Sequence, residues 1–152
     1  MQKLNFPSYP FRIEIVENKE YIWDEFRKTM VRLTPEEWVR QHMLKWLNVE
    51  KKYPASIIGV EKKIMVNKMD KRFDALVFDS NANPHIIIEC KAPEVKLNSE
   101  TFLQLANYNS VVKAPYLMIT NGIEHYCAFV DFEKMKIKHI EDIPTYESNK
   151  NK

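Results

Sequence analysis

The sequence predicts an α/β fold in which a central mixed sheet is flanked by helices and preceded by a β-hairpin. Two segments, 34–48 and 98–112, carry apolar residues at helical spacing. The segments between and after them are rich in β-branched and aromatic residues, which is typical of strands. With 152 residues, of which 45% are hydrophobic and 29% charged, the chain has the size and balance of one globular domain.

The segment before the first helix predicts the hairpin. Polar and apolar residues alternate over 11–16 and again over 21–26, with a polar stretch between them. We therefore expect an N-terminal hairpin extension at 1–26, a main domain at 27–143 and a polar tail at 144–152.

The first helix has a clear start signal. Thr34 is an N-cap candidate, Pro35 suits the first helical position, and Glu37 has the spacing of a capping box with Thr34. The apolar stripe that follows predicts a helix to about Asn48, before Pro54.

Three strands are predicted next, at 57–66, 72–79 and 85–91. The last two carry apolar residues on both faces, so they are expected to be central strands of a sheet covered on both sides. Strand alternation places Phe73 on the same face as Ala75.

The second helix is capped by Asn98 or Ser99. It is followed by strands at 115–120 and 123–131, which Asn121-Gly122 joins in a tight hairpin, and by a last strand at 135–140.

Composition excludes several function classes. The chain has only two glycines, Gly59 and Gly122, so neither a P-loop nor a GxGxxG turn exists, and no nucleotide cofactor is expected. Two cysteines, Cys90 and Cys127, exclude a cysteine-rich zinc site and are expected to be buried free thiols. Neither a signal peptide nor a membrane-spanning apolar run is present, which predicts a cytoplasmic protein.

The segment IIIECKAP, at 86–93, holds the residues best suited to chemistry. Glu89 and Lys91 share one face of a buried strand. If the preceding loop closes a symmetric hairpin, paired positions sum to 163, so Asp74 lies opposite Glu89 at about 5 Å. Two such carboxylates repel each other, and a divalent cation such as Mg²⁺ relieves the repulsion.

The Glu-x-Lys string alone does not identify a site, because it also begins at Glu50, Glu61 and Glu94. The buried strand and the opposed aspartate set Glu89 and Lys91 apart. The alternative is a buried structural ion network. Because the metal hypothesis leaves two carboxylates crowded, it predicts that Asp74→Asn costs little stability without metal.

Several motifs in order resemble a known family. Asp74 with Glu89-Cys90-Lys91 matches the PD-(D/E)xK nuclease signature. The stretches LTPEEWVRQ, FDALVFD, IIIECKAP and TNG resemble the N-terminal nuclease domain of type I restriction enzyme R subunits, over about 27 to 132. The resemblance implies a restriction-endonuclease-like fold and hydrolysis of DNA phosphodiester bonds with Mg²⁺, for which Mn²⁺ substitutes.

The resemblance also implies roles. Asp74 and Glu89 would hold the metal, the backbone carbonyl of Cys90 would complete its shell, and Lys91 would orient and activate the attacking water. A glutamate on the first helix often joins such sites; Glu37 matches best, with Glu36 as the alternative.

Substrate contacts are predicted from two sets of residues. Gln104 and Tyr108 fit the Gln-x-x-x-Tyr spacing of related nucleases, although a half-exposed helix face explains them as well. A basic run near the second strand is placed to track a phosphate backbone, although such runs are more often solvated faces; it consists of Lys62, Lys63, Lys68, Lys71 and Arg72.

The sequence departs from R subunits in lacking their helicase motor and in having Phe73, not proline, before Asp74. Two alternatives stay open: a catalytically silent module that binds nucleic acid or protein, and a nuclease directed at RNA. Since one such site cuts one strand, a homodimer or a larger restriction-type complex is the expected partner arrangement.

Overall fold

A computed structural model describes residues 1–147. The N-terminal part forms a three-stranded antiparallel sheet, which contains the predicted hairpin and one further short strand. The strands are β1 (Ile13–Val16), β2 (Lys19–Asp24) and β3 (Thr29–Arg32). The expected domain boundary at 26/27 falls inside this sheet, and residues 148–152 of the expected tail lie outside the described residues.

The first helix, α1, spans Pro35–Lys45. The Thr34 side chain accepts a hydrogen bond from the backbone N–H of Glu37 at 3.0 Å, which confirms the predicted cap. A π-helical turn at Trp46–Glu50 extends α1, and a short 3₁₀ turn at Ala55–Ile57 leads into the main sheet.

The main sheet is mixed. It has the strand order β4-β5-β6-β7-β8-β9, in which β6 and β7 are parallel and all other neighbours are antiparallel. The helix α2 (Ser99–Val112) makes the crossover that a parallel pair requires. The strands are β4 (Ile58–Val66), β5 (Met69–Phe78), β6 (Pro84–Cys90), β7 (Tyr116–Thr120), β8 (His125–Asp131) and β9 (Lys136–Ile140).

Both faces of the sheet are covered, as predicted. On one face, Val39 and Met43 of α1 pack with Ile88. On the other, Leu105 of α2 packs with Ile87. Both cysteines are buried free thiols, and none of the helices within residues 1–147 is long and apolar enough to span a membrane.

The predicted face of Phe73 is wrong. Phe73 belongs to the cluster under α2, whereas Ala75 belongs to the cluster under α1. The ladder between β4 and β5 is interrupted opposite Asp74, where Glu61 has a φ of 51°. We attribute the change of face to a local rotation of β5 at this break, which regular alternation does not anticipate.

The predicted hairpin register is confirmed. Ala75 pairs with Ile88, Leu76 with Ile87 and Val77 with Ile86, so each pair sums to 163. Asp74 and Glu89 are the next positions along this register, just beyond the last paired residues.

Candidate active site

Three charged side chains meet where β5 and β6 separate. Asp74 is only 8% exposed, and its carboxylate lies within hydrogen-bonding reach of the Glu89 carboxyl group. The Nζ atom of Lys91 lies 3.6 Å from Oε2 of Glu89. The structure therefore brings together the three residues that the sequence assigned to catalysis.

Asp74 is held from two sides. Its Oδ2 accepts a hydrogen bond from the backbone N–H of Cys90 at 2.8 Å. Its Oδ1 accepts from Nη2 and Nε of Arg40, at 2.6 and 3.1 Å. Sequence reasoning missed Arg40, although its spacing after Glu37 on α1 offered a signal that both could face the same side.

Glu37, the favoured helix glutamate, is engaged elsewhere. Its Oε2 accepts hydrogen bonds from Arg27 and Gln41, at 2.8 and 2.9 Å, and its Oε1 accepts from Arg40. These contacts use both carboxylate oxygens in a network of ion pairs beside the site.

The Glu36 carboxyl group is coupled electrostatically to Asp74. Burial raises the pKa of Glu36, the negative charge of Asp74 adds to the rise, and the positive charges of Arg40 and Lys91 oppose it. Oε2 of Glu36 lies 3.5 Å from Nη2 of Arg40, the atom that also binds Asp74. Both oxygens of Glu37 are already bound, so Glu36 is the better candidate of the two. Within residues 1–147, no three or more His, Cys, Asp or Glu side chains form a ready metal-binding group.

Glu89 has an unusual titration. Burial, together with the charge of Asp74, raises its pKa from 4.5 to about 7, while Lys91 and Lys71 act in the opposite direction. A carboxyl group that titrates near neutral pH beside a second carboxylate is typical of functional sites.

Helix α2 closes the other side of the site. Gln104 and Tyr108 line a shallow pocket together with Glu89 and Lys71. The Nζ atom of Lys71 lies 4.6 Å from the centroid of the Tyr108 ring. The predicted helix residues and one predicted lysine thus reach the site.

The other four predicted basic side chains do not line this pocket, and one of them, Lys68, is exposed in the turn between β4 and β5. Lys62 lies over the ring of Phe78 at 5.9 Å. Lys63 is exposed and 4.0 Å from Asp70, and Arg72 is exposed as well.

The mixed sheet and the acidic pair at its strand ends are the features of a restriction-enzyme nuclease-like domain. The family model for the N terminus of the type I restriction enzyme R protein matches residues 35–144. The chain belongs to this family.

A solved structure supports the fold. The chain matches a fragment described as the HsdR subunit of a type I restriction enzyme from Vibrio vulnificus YJ016, with a TM-score of 0.55 and 16% sequence identity. The match covers 74% of this chain but only 24% of that one, so the protein corresponds to about a quarter of the solved fragment. A comparison with curated proteins found no match.

Proposed function

We propose that this protein is a Mg²⁺-dependent endonuclease that hydrolyses DNA phosphodiester bonds, with Mn²⁺ as a substitute metal. One observation carries the proposal: the carboxylates of Asp74 and Glu89 meet at adjacent strand ends, with the Lys91 ammonium 3.6 Å from Glu89. Membership of the R-protein family supports a restriction-type nuclease.

The donor set fits a hard divalent cation. Two close carboxylates repel each other, and a bound cation relieves that repulsion. Mg²⁺ is commonly held by one or two carboxylates and keeps several waters, so Asp74 and Glu89 suffice as side-chain ligands. The backbone carbonyl of Cys90 would add a third oxygen, and Glu36 is better placed than Glu37 to contribute through water. Bound Mg²⁺ supplies a Lewis acid and lowers the pKa of a bound water.

The remaining residues orient these groups and the substrate. The Cys90 N–H and Arg40 fix the orientation of the Asp74 carboxylate. Lys91 places a positive charge where negative charge develops on the phosphate and orients the attacking water. Gln104, Tyr108 and Lys71 line the approach to Glu89 and would contact the nucleic acid there.

The proposed reaction also suggests how many copies of the chain are needed and where in the cell they act. One site cleaves one strand, so we propose that a double-strand cut needs two copies of the chain or a larger restriction-type complex. We place this reaction in the cytoplasm, where such an enzyme meets DNA.

A second candidate function is a catalytically silent module that binds nucleic acid. The observation that favours it is the Arg40 guanidinium, which occupies Oδ1 of Asp74 with two hydrogen bonds. A cation that binds at that oxygen has to displace or tolerate this arginine.

A plasmid-nicking assay in Mg²⁺ or Mn²⁺ separates the two candidates. We expect the wild type to nick plasmid DNA, and Lys91→Ala and Glu89→Gln to lose at least about 100-fold in rate. The matched controls are Lys96→Ala and Glu94→Gln, which change the Glu-x-Lys string that follows the site. They should cut like the wild type.

A second readout does not depend on cleavage. Mg²⁺ should raise the melting temperature of the wild type but not that of Glu89→Gln, because a ligand that binds only the folded state stabilises it. The hydrolase proposal fails if Mg²⁺ has no effect on the wild type and the protein binds DNA without cutting it. Equal cleavage by Lys91→Ala would also overturn the assigned site.

A further inference from the structure

The outer part of the β4–β5 hairpin, residues 62–73, forms a two-stranded ribbon. Lys62 pairs with Phe73 at its base and Val66 with Met69 at its tip, whereas the pairing of β5 with β6 begins only at Ala75. The ribbon carries five basic side chains against Asp70, a formal net charge of +4, while the whole chain carries +2. Positive charge is therefore concentrated on this ribbon.

One face of the ribbon is fixed against the domain. Val66 is 4% exposed, Phe73 is fully buried, and Ile64 packs on the apolar cluster under α2. Because alternate residues share a face, the opposite face carries Lys63, Met65 and Arg72, and all three are exposed.

The tip of the ribbon is apolar as well as basic. Met65 is 60% exposed and Met69 71% exposed. Met69 directly follows a tight turn in which Asn67 and Lys68 both have positive φ, at 53° and 67°, and Met65 lies two residues before that turn. Flexible, polarisable methionines are frequent on binding surfaces, so this tip has the character of a contact surface.

The ribbon leads directly into the candidate site. Asp74 follows Phe73 in the chain, and Lys71, which pairs with Ile64 on the face next to α2, lines the pocket of Glu89. A nucleic acid that lies along the ribbon therefore reaches the paired carboxylates.

The major groove of B-form DNA has the matching shape. It is about 12 Å wide and admits a two-stranded β-ribbon, thymine methyl groups offer apolar contacts inside it, and phosphates border it. The major groove of A-form RNA is too narrow for side chains to read. We propose that the ribbon enters the major groove of double-stranded DNA with its tip and exposed face, next to the candidate site at Asp74 and Glu89. This inference rests on the proposed function and assigns the ribbon as its DNA contact surface.

The chain length sets the spacing of the contacts. Asp74 lies five positions after Met69, about 17 Å along the strand at 3.3 Å per residue. That length corresponds to about five base pairs at 3.4 Å each. The groove contact should therefore lie about five base pairs from the cleaved phosphate.

Binding in EDTA tests the ribbon without cleavage. Fluorescence anisotropy would compare a short fluorescein-labelled DNA duplex, an RNA duplex of the same sequence and the single DNA strand. We expect the DNA duplex to bind at least about tenfold more tightly than the RNA duplex. Lys68→Glu should weaken duplex DNA binding about fivefold and lower the salt dependence by about one ion.

The β8–β9 turn provides matched controls. Lys134→Glu repeats the charge change at an exposed position, and Met135→Ser repeats the apolar change at a methionine that is 84% exposed. The double variant Met65→Ser with Met69→Ser should weaken duplex binding about fivefold without changing the salt dependence, because it removes no charge. Met135→Ser and Lys134→Glu should bind like the wild type.

The outcomes separate this inference from the proposed function. Ribbon variants that bind duplex DNA like the turn variants, or equal affinity for duplex RNA, overturn the ribbon proposal even if Lys91→Ala abolishes nicking. Conversely, if duplex binding depends on the ribbon but the protein never cleaves DNA, the ribbon proposal is supported and the proposed nuclease function is overturned. Circular dichroism melts confirm that each variant is folded.

Discussion

Two acidic regions on either side of Asp74 differ sharply in how their charges are compensated. On the α1 side, Asp24 is fully buried, yet its carboxylate accepts hydrogen bonds from Arg27 at 2.6 Å and Gln41 at 2.9 Å. Burial alone would raise the pKa of Asp24, but hydrogen bonds from the backbone N–H and the side chain of Arg27 and from Gln41 outweigh it and lower the pKa. On the α2 side, burial and the charge of Asp74 raise the pKa of Glu89 to about 7.

The comparison separates carboxylates that stabilise the fold from those that are candidates for function. A buried carboxylate with a full set of donors stabilises the fold, while one that stays crowded costs stability and persists where function uses it. Asp74 belongs to both regions, because Arg40 binds it and Glu89 lies beside it.

The largest expected effect comes from breaking the compensated region. Arg40→Met should destabilise the metal-free protein by about 3 to 5 kcal/mol, because it leaves Asp74 and Glu37 buried without their shared cation. Urea unfolding at neutral pH in EDTA measures this change.

The matched control lies on the same helix. Lys45→Met removes a cation that pairs with Glu25, whose side chain is 54% exposed, and should cost less than about 1 kcal/mol. Adding Asp74→Asn to Arg40→Met should recover part of the loss, since the two residues are directly coupled. Equal costs for the two single variants would show that Arg40 is not the essential cation of this region.

The same contact reverses an expectation drawn from the sequence. Asp74→Asn was expected to cost little without metal, on the premise that Asp74 and Glu89 only repel each other. Arg40 and the Cys90 N–H stabilise the Asp74 carboxylate, so this substitution should instead destabilise the metal-free protein. We expect a substitution that relieves the carboxylate repulsion to stabilise the protein only when it is made at Glu89.

Sequence reasoning predicted what local patterns determine. The Thr34 cap, the hairpin register and the cover on both faces of the sheet follow from neighbouring residues and alternation. The short strand β3 was missed because its sequence, Thr-Met-Val-Arg, does not alternate between polar and apolar residues. The face of Phe73 was wrong because a single left-handed residue in the partner strand, Glu61, interrupts regular pairing.

The candidate site was predictable in part for the same reason. Strand register brings Asp74 and Glu89 together, and alternation places Lys91 beside Glu89. The choice between Glu36 and Glu37 depends on how α1 is rotated against the sheet, and the role of Arg40 depends on its distance from β5. Both depend on tertiary packing, which a sequence pattern does not specify.

Glu89→Gln should make the fold more stable in EDTA at high pH. Below about pH 4.5 both folded and unfolded Glu89 are protonated, so the substitution has little effect. Between pH 4.5 and about 7 the unfolded chain releases this proton while the fold retains it, so wild-type stability falls as pH rises. Above pH 7 the variant should therefore exceed the wild type by about 2 to 3 kcal/mol.

Glu37→Gln is the contrasting substitution. It leaves Arg27 and Arg40 without a shared carboxylate and should destabilise the protein at pH 8. Melting curves from pH 4 to 8 compare the two variants. A loss of stability in Glu89→Gln at pH 8 would place Glu89 in a structural ion network instead.

The smallest expected effect concerns Lys71, whose charge partly offsets the burial of Glu89 and the repulsion from Asp74. Lys71→Met keeps an unbranched apolar stem against the Tyr108 ring and removes only the charge, so the titration midpoint of Glu89 should rise by less than about one unit. Carbon-13 NMR of the glutamate carboxyl groups measures it. Lys62→Met, which removes a charge located over Phe78, should leave the midpoint unchanged. A shift confined to Lys71→Met would show that Lys71 and Glu89 share one electrostatic environment, from which Lys62 at the base of the ribbon is excluded.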